Sequence, residues 1–148
     1  MELLLPEDFK EFLKLLNENQ VRYLVVGGIA VALHGYPRAT GDMDIWVDNN
    51  ELDAELLTKV CREFGFTGPE LKPELFKQSN TIARMGVPPL RIELMTSMTG
   101  LEFSECYPRR VFKKADGMEI PVIDIDNLLK NKKLIRRNKD LDDIENLS

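Results

Sequence analysis

The sequence predicts an α/β (α+β) fold in which helices flank a small mixed, partly antiparallel sheet. Residues 6–17 repeat apolar side chains at helical spacing, and residues 21–26 (VRYLVV) are the β-branched and aromatic residues of a buried strand. Residues 80–86 and 89–95 flank a Val-Pro turn in the pattern of a hairpin. A strand–helix–strand beginning followed by a hairpin indicates that one sheet contains both parallel and antiparallel pairs.

The length and composition are those of a folded domain. With 148 residues, 43% of them hydrophobic, the chain is long enough to bury a core. We expect one domain over residues 1–148, with residues 124–148 as its C-terminal helical segment.

The chain carries no pattern of export or membrane insertion. No apolar run approaches the roughly 20 residues that span a bilayer, and MELLLPEDFK has acids where an export signal needs lysine or arginine. Cys61 and Cys106 lack metal-ligand spacing, which is typical of reduced thiols. We therefore expect a cytoplasmic protein without a membrane partner.

The first helix and strand lead to a pair of glycines. Pro6 suits the first turn of the helix over residues 6–17. The strand over residues 21–26 ends at Gly27-Gly28, and a short helix follows from about residue 28 to His34. His34, the sole histidine, is expected to pack in the core or to cap that helix.

The strand over residues 42–47 has alternating side chains. Asp42 and Asp44 lie on one face and apolar residues on the other. Trp46 shares the aspartate face, where it either lines a ligand pocket or, as we favour, covers the sheet.

The remaining elements are a helix from Asn49 or Asn50 to Gly65, strands over residues 80–86, 89–95, 109–114 and 118–123, a helix from about Asp124 to Arg136, and an amphipathic segment over residues 140–147.

The paired aspartates suggest a metal site. Two like carboxylates on one face repel each other, and divalent cations most easily offset that cost. Hard oxygen ligands favour Mg²⁺, which binds one or two carboxylates together with substrate phosphates. The alternative is a solvated strand end on which Asp42 and Asp44 are incidental.

Two further features support the metal and phosphate interpretation. Gly27-Gly28, between a strand and a helix, lets the backbone approach a ligand and leaves N–H groups free for an anion, although a tight turn alone would also explain it. Glu93 is an acid on an otherwise core-like strand and is a candidate third carboxylate for two-metal phosphoryl transfer. An exposed strand acid is the alternative for Glu93.

The charge distribution leaves the partner open. The net charge is -5, yet residues 129–139 (LKNKKLIRRNK) contain six basic residues and no acid. A local anion site in an acidic protein and a solvated helix face are both compatible with this segment.

Together these residues resemble a known family. The stretch VVGGIAVALHGYPRATGDMDIWV is similar to the signature of the polymerase-β-like nucleotidyltransferase superfamily. That signature consists of an apolar residue, a glycine and then a glycine or serine, followed after a gap by Asp-x-Asp. The RATGDMD variant and the tail K-x-x-x-x-R-x-K-D-L-x-D-I, residues 132–144 here, resemble the bacterial AbiEii-type toxins and their small relatives. The resemblance covers roughly residues 21–147 and implies a polymerase-β palm-like nucleotidyltransferase fold.

The resemblance implies roles for individual residues. Asp42, Asp44 and Glu93 would be the catalytic carboxylates and the ligands of two Mg²⁺ ions, with Mn²⁺ as the alternative ion. Lys132 would contact the nucleotide phosphates, and Asp140 would support the site. The nucleotide-binding residues would be Gly27, Gly28, Arg38, Thr40, Lys132 and Asp140.

The implied activity is transfer of a nucleoside monophosphate from a nucleoside triphosphate to a hydroxyl acceptor. The acceptor stays open between an RNA 3′ end, a protein and a small molecule. The chain would be the toxin of a toxin–antitoxin or phage-defence pair, with an antitoxin or a second copy as partner. The alternative is a catalytically weakened binding module that acts as a partner subunit. Gly28, where many active members have serine, favours that alternative, whereas the three carboxylates favour activity.

Overall fold

The computed structural model describes residues 5–37, 41–87 and 90–147, and one mixed sheet organises them. The helices are α1 (Glu7–Glu18), α2 (Gly27–Leu33), α3 (Glu51–Phe64), α4 (Pro73–Lys77), α5 (Phe103–Cys106), α6 (Ile125–Ile135) and α7 (Asn138–Leu147), with a 3-10 turn at Tyr107–Arg109. The strands are β1 (Tyr23–Val26), β2 (Asp42–Val47), β3 (Ile82–Val87), β4 (Leu90–Met95), β5 (Val111–Ala115) and β6 (Met118–Val122).

The sheet has the order β3-β4-β2-β1-β6-β5 within the described ranges. β2 pairs with β4 and β1 pairs with β6 in parallel, whereas the other neighbours are antiparallel. The predicted mixed, partly antiparallel sheet is therefore confirmed. β1 and β2 occupy its centre, so residues at their ends are surrounded by other strands.

The predicted elements agree with the structure to within two residues at each end. Periodicity explains α1, which buries Phe9, Phe12, Leu13 and Leu16 along one face. Capping explains α3: Asn50 accepts a hydrogen bond from the Asp53 backbone N–H, and Gly65 ends the helix in the left-handed conformation. The short elements α4, α5 and the 3-10 turn were not predicted, because three to five residues carry too little periodicity.

The core lies on both faces of the central strands. Trp46 is 1% exposed and packs edge-on against Phe103, with ring centroids 5.3 Å apart, so its ring covers the sheet, and it also lines a polar cavity. His34 caps α2, and its Nε2 lies 2.7 Å from the Ile123 carbonyl oxygen, which confirms its structural role. Cys61 and Cys106 are both free and buried. Among the described helices, none combines the length and apolarity that crossing a membrane requires.

A buried group of ion pairs joins α6 to α7. The Lys132 ammonium lies 3.2 Å from Asp140 Oδ1 and 2.9 Å from Asp143 Oδ2, and these three side chains are 4%, 0% and 0% exposed. Arg137 adds a 2.7 Å ion pair to Asp140 from the connection between the helices. Burial opposes ionisation of Asp140, but the hydrogen bonds from Arg137 and Lys132 outweigh it and hold its pKa below the ordinary value.

Removing the Lys132 charge is expected to destabilise the protein strongly. Lys132→Met would remove the buried cation that Asp140 and Asp143 share, although Asp140 would keep its ion pair with Arg137. Breaking such a buried pair costs about 3–5 kcal/mol of unfolding free energy. Urea unfolding measures the difference. The matched control is Lys133→Met, since Lys133 is the exposed neighbour on the same helix and should change stability by less than about 0.5 kcal/mol. Equal stability of the two variants would contradict the structural role of Lys132.

Candidate active site

Three acidic side chains line one cleft. Asp42 and Asp44 project from the same face of β2 because side chains alternate along a strand. β4 runs parallel to β2, and their register places Glu93 beside Asp44 and Arg91 beside Asp42. The cleft above these residues has a volume of about 460 Å³. Strand pairing therefore brings together two acids from one segment and a third from a segment about 50 residues later.

Gly27 forms the wall of the cleft next to Asp44. Its φ of +66° lies in the left-handed region, which glycine adopts without steric cost. A Cβ at this position would overlap Asp44 Oδ2. Gly28 is buried and also lines the cleft. Gly27 thus lies where the backbone passes directly against a carboxylate, and Gly28 forms part of the cleft wall beside it.

Asp44 is the most perturbed of the three acids. Burial, then the charge and hydrogen bonding of Glu93, then the charge of Asp42 raise its pKa to about 7 from an ordinary value of 3.8. Its Oδ1 is buried and has no hydrogen-bond partner in the described part of the chain. A buried carboxylate oxygen in this condition is costly and would be stabilised by a cation.

Two arginines contact the other two acids. Arg91 Nε lies 3.2 Å from Asp42 Oδ1, and Arg84 Nε lies 3.0 Å from Glu93 Oε1. Both arginines line the cleft. The sequence analysis did not identify them as site residues. The alternation of β4 placed Arg91 on the Glu93 face, but nothing in the sequence indicated that β3 would bring Arg84 to the same carboxylate.

A basic wall of the cleft comes from α6, α7 and their connection. Lys132, Arg137 and Lys139 line the cleft. The Lys132 ammonium is already paired with Asp140 and Asp143, whereas the Arg137 side chain is 55% exposed although it also pairs with Asp140. The structure therefore places Lys132 and Asp140 beneath the basic wall and leaves Arg137 open to a ligand. The predicted residues Arg38 and Thr40 lie outside the described residues.

The acids fit a hard divalent cation by their chemistry. Oxygen donors are what Mg²⁺ prefers, and Asp44 Oδ1 lacks any other partner among the residues described. As the side chains stand, however, no three His, Cys, Asp or Glu residues of the described ranges are arranged to hold a metal ion. Asp42 and Glu93 each face an arginine instead. Binding of a cation by all three acids would therefore require those ion pairs to open.

The same fold occurs in solved structures of low sequence identity. A candidate nucleotidyltransferase from Thermotoga maritima is similar with a TM-score of 0.65 and 18% identity, over 98% of this chain and 94% of that one. The lincosamide antibiotic adenylyltransferase LnuA, in its lincomycin-bound form, is similar with a TM-score of 0.59 and 15% identity, over 99% of this chain and 98% of that one. An antigenic nucleotidyltransferase-like protein from Paracoccidioides brasiliensis is similar with a TM-score of 0.56 and 18% identity, over 95% of this chain and 74% of that one.

These likenesses confirm the predicted nucleotidyltransferase fold. No curated protein matches the chain significantly. A family model described as "Nucleotidyl transferase of unknown function (DUF2204)" matches residues 6–148. Because that match spans nearly the entire sequence, the chain belongs to this family of nucleotidyltransferases.

Proposed function

We propose that the chain transfers a nucleoside monophosphate from a nucleoside triphosphate to a hydroxyl acceptor with the help of two Mg²⁺ ions, Mn²⁺ being the alternative. The observation that carries this proposal is the position of Asp44. It lies between Gly27 and Glu93, with one buried oxygen that has no partner in the described residues. The acceptor would be an RNA 3′ end, a protein or a small molecule.

The reaction itself needs few covalent events. An acceptor oxygen bonds to the α-phosphorus, the bond from that phosphorus to the α,β-bridging oxygen breaks, and pyrophosphate leaves. The proton of the acceptor hydroxyl passes to a nearby base, for which Glu93 is our candidate. Bound Mg²⁺ would neutralise the phosphate oxygens and lower the pKa of the attacking hydroxyl.

The protein would hold the triphosphate between the glycine pair and the basic wall. The missing Cβ of Gly27 makes room for the Asp44 carboxylate. Gly27 and Gly28, which line the cleft, would contact the phosphates through their backbone N–H groups. Arg137, exposed at the cleft, would neutralise the departing pyrophosphate. Lys132 and Asp140 would act mainly by fixing Arg137 in position, because their charged groups already contact each other.

A second proposal is that the chain is a binding module with a weakened site. The ion pairs of Arg91 with Asp42 and Arg84 with Glu93 favour it, since the arginines already neutralise two of the three acids. The resemblance to AbiEii-type toxins motivates the related proposal that the protein acts in a two-gene toxin–antitoxin or phage-defence pair, as the toxin or as a partner subunit.

Nucleotidyl transfer is expected to depend on the two aspartates. The protein would be incubated with Mg²⁺ and each α-labelled nucleoside triphosphate, together with total RNA, protein extract and small-molecule extract. Asp42→Ala/Asp44→Ala should lower label transfer by at least about 100-fold, because the metal contributes several kcal/mol to the transition state. Asp8→Ala, at an exposed aspartate of α1, is the control and should retain full transfer. Nucleotide binding without transfer in the native protein would support the binding module.

The proton on Asp44 is expected to make stability depend on pH. Its pKa is about 7 in the folded, metal-free protein and near 3.8 in the unfolded chain. Between these values the folded state binds the extra proton, so the unfolding free energy falls as pH rises, by a total on the order of 2–4 kcal/mol. Urea unfolding from about pH 4 to pH 8 should show this fall, and Asp44→Asn should remove it. A slope that Asp44→Asn leaves unchanged would contradict the assignment.

Removal of Arg91 is expected to strengthen binding of the metal alone. Arg91 competes with a cation for Asp42, so Arg91→Gln should lower the Kd for Mg²⁺ by about fivefold to tenfold in calorimetry without nucleotide. Arg109→Gln removes a surface arginine that pairs with Asp126 outside the cleft and should leave the Kd unchanged. Weaker Mg²⁺ binding by Arg91→Gln would show that the arginine organises the site rather than competing for it.

A further inference from the structure

A second cavity adjoins the cleft at the far end of β2 and β4. This polar pocket has a volume of about 440 Å³, and its lining includes Trp46, Asn49, Ser79, Thr96, Ser97 and Glu102. The volume lies within the range of about 300–1,000 Å³ that small-molecule sites occupy. Ser97, Met98 and Thr99 line the polar pocket and the cleft alike, so the two cavities are neighbours across one short loop.

The strand register fixes the distance between the polar pocket and the three acids. Trp46 lies two residues beyond Asp44 on the same face of β2, and Met95 lies two beyond Glu93 on β4. Two residues of a strand span about 7 Å. A small molecule in the polar pocket that spans this distance would therefore place one of its hydroxyl groups at the α-phosphorus of a nucleotide bound at the carboxylates.

The lining of the polar pocket is rich in uncharged hydrogen-bonding groups. Its side chains include the hydroxyls of Ser79, Thr96 and Ser97 and the amide of Asn49, and Glu102 is the one ionisable residue among the described residues of the lining. Trp46 is 1% exposed, and its Nε1 donor has no acceptor in the described part of the chain. Because this donor is buried, the hydroxyl and amide groups of the lining supply the polarity that a ligand would meet.

We propose that the polar pocket binds the acceptor and that the acceptor is a small polyhydroxylated molecule without negative charge. This inference rests on the proposed function and specifies its substrate class. Glu102 would repel an anion, and the residues of the lining that the structure describes include no lysine or arginine to bind one. RNA binding relies on such cations along the phosphate backbone. Neutral polyols and amino sugars fit, because hydroxyl and ammonium groups can pair with the serine, threonine, asparagine and glutamate side chains.

The test sorts acceptors by charge. The filtrate of a cell extract would be separated by anion exchange into a non-anionic and an anionic small-molecule fraction. Each fraction, total RNA and total protein would be incubated with the protein, Mg²⁺ and α-labelled nucleoside triphosphates. We expect label in the non-anionic fraction. Label confined to the anionic fraction, RNA or protein would overturn the inference while upholding the transferase.

Variants of the polar pocket then locate the acceptor. Ser79→Phe fills the polar pocket at a residue that does not line the cleft, and should lower kcat/KM for the labelled acceptor by at least about tenfold. Glu102→Lys should lower it by about fivefold or more if the acceptor is cationic. Glu105→Lys, an exposed glutamate on α5 outside the lining, is the matched control and should have no effect.

Two binding measurements separate this inference from the proposed function. Ser79→Phe should bind Mg²⁺ and the nucleoside triphosphate as the native protein does. Trp46 is the sole tryptophan, so its fluorescence should change when the labelled acceptor binds the native protein but not Ser79→Phe. Unchanged kcat/KM in Ser79→Phe would overturn the inference. Nucleotide binding with label in no fraction would also count against it. Loss of Mg²⁺-dependent nucleotide binding in the native protein would instead overturn the proposed function.

Discussion

The burial of one carboxylate, that of Asp44, constrains the centre of this structure. β2 is flanked by β1 and β4, so Asp44 lies between Val26 on one side and Glu93 on the other. The chain after Val26 passes so close to the carboxylate that Gly27 has no room for a side chain. A sheet could bury an apolar residue here at far lower cost, since an ionised Asp44 loses hydration while the charges of Glu93 and Asp42 repel it. The arrangement is consistent with a site whose stability is set by a cation and not by the fold alone.

Charge balance explains why two arginines and a basic wall surround these acids. Asp42 and Glu93 each contact an arginine, and Arg137 and Lys139 approach from the opposite side of the cleft. The fixed positive groups offset repulsion among three neighbouring carboxylates in the folded protein. The same groups are suited to a triphosphate, which brings negative charge of its own. The cleft can therefore exchange ion pairs within the protein for ion pairs with a ligand without leaving charges unmatched.

Local sequence features predicted most of the fold, and long-range pairing accounts for what they missed. The helical period of α1, the Asn50 and Gly65 caps of α3 and the alternation of β2 are visible in single segments. Glu93 was a candidate third carboxylate because it is an acid on a core-like strand, and the resemblance supported it. Its proximity to Asp44 depends on parallel pairing of strands separated by α3 and α4, which no single segment indicates. Arg84 could not be found, since its role depends on the register of the edge strand β3. The resemblance assigned Lys132 to the nucleotide phosphates, and nothing in the sequence indicated that acids one helix later would pair with it and bury it.

The ion pairs between α6 and α7 also bear on how the chain folds during synthesis. Lys132 leaves the ribosome before Asp140 and Asp143, so its ammonium can be buried only after those two acids have emerged to pair with it. Domains generally fold as units, from the N-terminal side first. The sheet can assemble as soon as β6 has emerged, but the basic side of the cleft can close only after α7. In a nascent chain the three acids would therefore be in place before the basic wall forms. The chain would be inactive until translation of α7 is complete.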